Sequence, residues 1–122
     1  MSSQATVSVI IPCYKQAQFL PEALISALSQ THGSVEVVVV DDGSPDKAAE
    51  VAAQHGVRCI RQKNRGASEA RNAGFRASHG DYVLFIDADD KLTPRSIQAH
   101  LQCFAEHPDA GFVVGAIDIL SS

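Results

Sequence analysis

The sequence lacks most of the features that would assign it at a glance. No apolar run approaches the ~20 residues that a membrane-spanning helix needs. The segment from Met1 to Thr6 has no basic stretch ahead of an apolar one, so no signal peptide is expected. Cysteine is sparse: Cys13, Cys59 and Cys103 are odd in number and far apart. That spacing excludes a CxxC metal site and a disulfide framework, and it fits reduced thiols in a cytoplasmic protein. The phosphate-cradling glycine motifs are missing too: there is no GxxxxGKS/T and no GxGxxG after a strand. A net charge of -4 is not the basic excess of a general nucleic-acid binder, so no nucleic-acid partner is expected. The five histidines, His32, His55, His79, His100 and His107, form no metal-spaced pair on one predicted helix. Repeats, low-complexity tracts and linkers are absent as well.

What remains is 122 residues with 45% apolar and 20% charged content, enough for one soluble domain with a real core. Strand-like runs alternate with helical spacing. Val7-Ser-Val-Ile-Ile11 predicts a strand, and Leu20, Ala23, Leu24, Ala27 and Leu28 a helix. Val35-Glu-Val-Val-Val-Val40 is almost entirely β-branched, as a buried central strand should be. Ser44-Pro45-Asp46 supplies a cap, a proline for the first turn and an acid, predicting a helix that ends near His55-Gly56. Val57 to Ile60 reads as a short strand. Ala67, Ala70, Gly74 and Ala77 form a small-residue helix face suited to close packing on a sheet. Tyr82 to Ile86 is the next strand. Thr93-Pro94 opens a helix with Ile97, Leu101, Phe104 and Ala105 on one face, closed by Pro108. Gly111 to Ile117 would be a fifth strand. The order βαβαβαβαβ predicts a mostly parallel sheet with helices on both faces, a Rossmann-like three-layer α/β/α sandwich.

In such sheets ligands bind at the carboxyl ends of the strands. Three predicted strand ends carry unusual residues: Pro12-Cys13-Tyr14-Lys15, Asp41-Asp42-Gly43-Ser44 and Asp87-Ala88-Asp89-Asp90. Parallel strands bring them to one edge. Carboxylates gathered there cannot all stay charged without a cation, and an all-oxygen set favours Mg²⁺ or Mn²⁺. Tyr14 offers a flat face for stacking a base, and Pro12 stiffens the exit of its strand. A nucleoside diphosphate site follows, with phosphates held through a metal and side chains; Lys15, Lys63, Arg65 and Arg71 are the candidate cations. Each residue also has a plainer role. Asp41 or Asp42 suffices for a turn, Asp90 fits an exposed loop acid, and Arg71 fits an ion pair with Glu69. Response-regulator receivers and haloacid-dehalogenase phosphatases also place aspartates at strand ends. The former need an acidic pair after the first strand and the latter a nucleophilic DxD there; this chain has Pro-Cys-Tyr.

The motifs together resemble the N-terminal half of family 2 inverting glycosyltransferases, of the GT-A fold. The matching pieces are Val7 to Tyr14, Ser26 to Thr31, Glu36 to Ser44, Asn64-Arg65-Gly66, Ala70-Arg71-Asn72 with Gly74, and Gly80 to Asp90. The resemblance implies a nucleotide-sugar donor, most often a UDP-sugar. It places the base at Pro12 and Tyr14, with Asp42 on the base imide and Arg65 near base or phosphates. It puts Asp87 on the ribose and Asp89 on the divalent metal. Transfer would invert the anomeric carbon, with an acceptor hydroxyl attacking opposite the leaving diphosphate.

Two departures shape the expectation. Lys15 stands where the family usually has Asn. Family members also carry the catalytic base and the acceptor surface well beyond the DxD, and nothing after residue 94 matches that base. The sequence therefore reads as one nucleotide-sugar-binding domain over residues 1–122, truncated relative to a full glycosyltransferase domain, binding donor but transferring little alone. The acceptor is unassigned: a glycan, a lipid or another hydroxyl. Truncation would bare an apolar surface, which predicts a homodimer there. The expected location is cytoplasmic, with any membrane association at its inner face residing in absent sequence. The competing reading is a non-catalytic nucleotide-binding or interaction module.

Overall fold

A computed structural model of the chain describes residues 5–106, and the side chains of residues 5–102. It contains β1 (Val7–Cys13), α1 (Leu20–Leu28), β2 (Val35–Asp41), α2 (Ala48–Gln54), β3 (Arg58–Arg61), α3 (Ala67–Ala77), β4 (Tyr82–Phe85) and α4 (Ser96–Glu106). The expected stop at Pro108 and the expected strand at 111–117 lie outside the described residues, as do the side chains of Phe104 and Ala105. The strands run in the order β3-β2-β1-β4, and every pairing is parallel.

Alternation along the strands sorts the core into two layers. Val9, Ile11 and Cys13 of β1, with Val37 and Val39 of β2, point to the side where Leu20 and Leu24 of α1, Ala48 and Ala52 of α2 and Ile97 of α4 pack. Ile10, Val38 and Val40 point to the other side, against Ala70 and Ala73 of α3. The small-residue face of α3 is needed there. A Cβ on Gly74 would collide with Ile10 Cγ2 and come within 3.1 Å of Val40 Cγ2. The three-layer α/β/α sandwich is thus as the sequence pattern predicts.

Pro12 lies within a central strand, paired with Val40, and alternation explains how. Ile10 O accepts from Ile86 N on the β4 side, and Cys13 O accepts from Asp42 N on the β2 side. Pro12, two residues after Ile10, turns its nitrogen towards β4 just past the last pair, Ile10 with Phe85. No ladder bond is lost, so the proline is tolerated.

Three expectations need correction. Leu28 is half exposed, as is Ile25, so α1 buries a narrower stripe than its periodicity suggests. α4 starts at Ser96, after a turn in which the Thr93 and Ser96 hydroxyls share a hydrogen bond. And α2 starts at Ala48, without a side-chain hydrogen bond from its N-cap residue, Lys47. Ser44 and Asp46 reach towards the loop after β1, and Asp46 is also stabilised by the backbone N–H of Ala48. Lys15 N–H donates to Ser44 Oγ at 2.8 Å and Ala17 N–H to Asp46 Oδ2 at 3.0 Å.

Candidate functional site

The chain leaves β1 towards β2 on one side, and β4 lies on the other. The carboxyl ends of β1 and β4 therefore flank a topological switch point, where doubly wound sheets bind ligands. A cleft of about 370 Å³ opens there. Pro12, Cys13, Tyr14 and Gln16 form one wall, Asp42, Asn64 and Gly66 another, Ala67 and Ala70 of α3 the third, and Asp87 stands at the β4 side. Of the residues singled out in the sequence, Pro12, Tyr14, Asp42 and Asp87 thus meet in one cleft. Arg65 and Arg71 do not line it: Arg65 is exposed and contributes its backbone, while Arg71 is half-buried on α3.

The paired aspartates at the end of β2 are separated by the pleat. Asp41, on the Cys13 side, is 1% exposed; its Oδ1 accepts from Ser44 N–H at 2.8 Å, and its Oδ2 lies 3.4 Å from Arg61 Nε. It shapes the turn. Asp42, one residue on, faces α3. Its Oδ1 accepts from Gln62 Nε2 and from Arg65 N–H, both at 2.8 Å. Its Oδ2 accepts from Gly66 N–H at 3.0 Å and Asn64 Nδ2 at 3.4 Å. Burial alone would raise its pKa, but the bonds from Gln62, Arg65 and Gly66 outweigh that and hold the carboxyl below its ordinary value. The negative charge also sits at the N-terminus of α3, which favours it. Gly43 makes the crossing possible. Its φ is +73°, and a Cβ there would lie 2.7 Å from Asn64 N.

Tyr14 is 40% exposed at the cleft wall, with Lys15 Nζ 5.2 Å from its ring centre. Lys15 has φ +57°, a left-handed conformation that Asn or Gly adopts more readily. Its cation stays on the ring, 5.2 Å away, which makes it a neighbour of the aromatic face. Cys13, beneath the cleft, is buried, and burial first, then the charges of Asp46 and Asp41, push its thiol up to about 11. It is a packing residue.

After β4 the chain turns, Asp90 N–H donating to Asp87 O at 3.0 Å, while Ala88 is buried in the core. The turn gathers Asp87, Asp89 and Asp90, with one carboxylate oxygen of each lying within 4.8 Å of the others. Burial raises the Asp90 pKa, and the Asp87 and Asp89 charges raise it further. Among the described residues no ion pair reaches this cluster. Three hard oxygen donors with unbalanced charge fit a divalent cation of the Mg²⁺ or Mn²⁺ type. Asp90, which also reads as a plain loop acid, thus joins the cluster; its signal was the third carboxylate in four residues.

The segment Ser26 to Thr31 positions that turn. Ser26 Oγ accepts from Leu92 N–H at 3.0 Å. Gln30 Nε2 donates to Thr93 O at 2.6 Å, and Gln30 Oε1 accepts from Ile97 N–H at 3.0 Å. The end of α1 is thereby tied to the acidic loop and to the start of α4. Sequence spacing carried no sign of this cross-tie, since its partners lie more than 60 residues apart.

Fold and site define a doubly wound α/β domain with a ligand cleft and an acidic cluster at its switch point. The chain belongs to glycosyl transferase family 2, whose sequence model matches residues 8–121. It is 39% identical over 120 residues to an uncharacterized glycosyltransferase, alr2836, of Nostoc sp., covering 93% of this chain and 37% of that protein. It is 33% identical over 115 residues to the glycosyltransferase GlyG of Streptococcus pneumoniae, covering 89% of this chain and 38% of that one. Among solved structures, S. aureus TarS 1–349 in complex with UDP-GlcNAc superposes with a TM-score of 0.78 at 27% identity, covering 84% of this chain and 32% of that 1–349 chain. Glucosyl-3-phosphoglycerate synthase of Mycobacterium tuberculosis, in complex with Mn²⁺, UDP and glucosyl-3-phosphoglycerate, superposes with a TM-score of 0.68 at 27% identity, over 77% and 37% of the two chains. The chain thus spans well under half the length of these relatives. No helix among the described residues is long and apolar enough to cross a membrane.

Proposed function

We propose that this domain binds the nucleoside diphosphate of a sugar donor, a UDP-sugar, for inverting transfer of the sugar to an acceptor hydroxyl. The observation that carries the reading is the cleft of Pro12, Tyr14, Asp42 and Asp87 set against the cluster of Asp87, Asp89 and Asp90. UDP and Mn²⁺ are bound by the synthase, and UDP-GlcNAc by TarS, both structural neighbours of this chain.

In this reading the base stacks on Tyr14 beside Pro12. Its imide N–H goes to Asp42. The four acceptor positions of that carboxylate already have donors, so the base would displace the longest of them, Asn64 Nδ2 at 3.4 Å. Asp87 takes the ribose hydroxyls. Asp89, with Asp90 beside it, holds a Mg²⁺ or Mn²⁺ ion, which when bound offsets the charge of the leaving diphosphate. Arg65 and Arg71 approach the base or phosphates from the α3 side. The acceptor site and catalytic base belong to the part of the relatives' length that this chain does not span. Transfer by the 122 residues alone is therefore weak or nil. The free thiols of Cys13 and Cys59 are in keeping with a cytoplasmic setting.

The test is calorimetric titration of UDP in the presence and absence of Mn²⁺, on the wild type and on Asp89→Ala. Metal-dependent binding that the substitution abolishes supports the reading. A folded wild type that binds neither UDP nor GDP nor dTDP with Mn²⁺ overturns it, leaving the non-catalytic interaction module.

A further inference from the structure

The loop that carries Tyr14 is turned in its second half by its own backbone, Phe19 N–H donating to Gln16 O at 2.9 Å and Leu20 N–H to Ala17 O at 3.3 Å. It leaves β1 at Cys13 and reaches α1 at Leu20, with Lys15 in a left-handed conformation on the way. Its first half is held from the neighbouring loop after β2. Ser44 Oγ accepts from Lys15 N–H at 2.8 Å. Asp46 Oδ2 accepts from Ala17 N–H at 3.0 Å. The Ser44 hydroxyl in turn donates to Asp46 Oδ1, and Ser44 N–H donates to the buried Asp41 carboxylate at 2.8 Å. Two backbone N–H groups on either side of Gln16 are thus held by one carboxylate and one hydroxyl. That hydroxyl is 1% exposed and anchored to the end of β2.

Neither Ser44 nor Asp46 lines the cleft, whereas Tyr14 and Gln16 do. Asp46 is exposed, and its carboxylate is held by the backbone N–H groups of Ala17 in the first loop and of Ala48 at the start of α2. An acid placed two residues before a helix ordinarily serves that helix alone; this one also spends an oxygen on the first loop. We propose that Asp46, acting through Ser44, is a positioning residue for nucleotide recognition. It fixes the Tyr14 loop in the shape that accepts a base, and it does so without touching the nucleotide. The inference rests on the donor-site reading above. Its consequence is selective: binding energy from the base depends on the clamp, and binding energy from the diphosphate, held at the acidic cluster, does not.

The experiment compares UDP with inorganic pyrophosphate, each titrated with Mn²⁺ present, on the 122-residue chain. The wild type prefers UDP. Asp46→Ala weakens UDP roughly tenfold, the loss of one charge-assisted hydrogen bond, and leaves pyrophosphate within about twofold. Asp46→Asn keeps an acceptor for Ala17 N–H and a partner for Ser44, and so restores most of the preference for UDP. A general loss of structure would weaken both probes together and would not be rescued by Asn. Circular dichroism melts establish that the variants fold; if Asp46→Ala does not, Ser44→Ala, which removes the Lys15 acceptor and the donor to Asp46 but leaves Asp46 on Ala17 N–H, decides in its place. An unchanged ratio of UDP to pyrophosphate affinity in a folded variant overturns the clamp alone, as does a wild type with no preference for UDP. A wild type that binds neither probe overturns the donor site itself.

Discussion

Replacing Asp42 with Asn tests whether the carboxylate between two loops organises the cleft. The exchange keeps the shape and removes the charge. In the best orientation Oδ1 still accepts from Gln62 and Arg65 N–H, each at 2.8 Å. The new amide then faces the Gly66 N–H, donor against donor, across the present 3.0 Å. One charge-assisted bond, about 1.5–3 kcal/mol, is lost, and two others weaken to the neutral range of about 0.5–1.5 kcal/mol. Relief of burying a charge offsets part of this. The cleft also admits water beside Asp42, which favours the lower end. The expected net loss is about 2 kcal/mol at neutral pH, near a thirtyfold shift in the folding equilibrium.

The sign with pH follows from the lowered pKa. Asp42 is held below its ordinary value of 3.8 in the folded chain, so its stabilisation is complete above that value. It is lost as pH falls from 3.8 through the folded pKa, where the native carboxylate takes up a proton. Urea unfolding of wild type and Asp42→Asn, followed by circular dichroism from neutral pH to about pH 3, should show a gap that is constant at the upper end and narrows below 3.8. Equal stability at neutral pH, or a gap that does not narrow below pH 3.8, refutes the account of Asp42 as an ionised clamp of residues 62–66.

Three further outcomes are expected. Gly74→Ala gains about 1 kcal/mol of helix propensity but drives a Cβ into Ile10 Cγ2 in a packed core, a strain of about 1–3 kcal/mol; a lower midpoint in thermal melts is the expected result, and a higher one sinks the close-packing argument. Lys15→Asn relieves the left-handed backbone at φ +57° and should raise stability by about 0.5–1 kcal/mol, read by urea titration. Gln30→Ala removes the bonds to Thr93 O and from Ile97 N–H, costing about 2 kcal/mol, and should weaken Mn²⁺ binding measured by calorimetry, since the acidic loop loses its tie to α1.

The fold was legible because its signals are local. β-branched runs such as Val37 to Val40 permit little but a buried strand, and the small face of Ala70 and Gly74 announces a helix pressed on a sheet. Helix starts were less legible. Ser44-Pro45-Asp46 has the composition of a cap, yet its oxygens are shared with Lys15 and Ala17, almost 30 residues earlier in the chain. Local rules fail where a more distant N–H competes for the same acceptor.

The site shows the same division at finer scale. That carboxylates gather at the strand ends follows from parallel topology alone, and Asp87 and Asp89 could be chosen from it. Which of Asp41 and Asp42 faces the cleft follows from the parity of β2, which the sequence contains once the strand's end is known: Val40 faces α3, Asp41 the other side, Asp42 α3 again. A strand read as ending at Val40 hides that count. What no spacing reveals is that the Asp42 carboxylate is already fully engaged by Gln62, Asn64, Arg65 and Gly66. A base would thus meet an acceptor that must exchange a partner, and not a free one. Exchange of a weak internal bond for a ligand bond costs less than desolvating an open carboxylate, and it ties recognition of the base to the position of the loop before α3. Asn64→Ala, which leaves that position on Asp42 without a side-chain donor, should therefore bind UDP at least as tightly as wild type with Mn²⁺ present; a severalfold weaker affinity would mean that Asn64 itself contacts the nucleotide and that Asp42 is not the group reading the base.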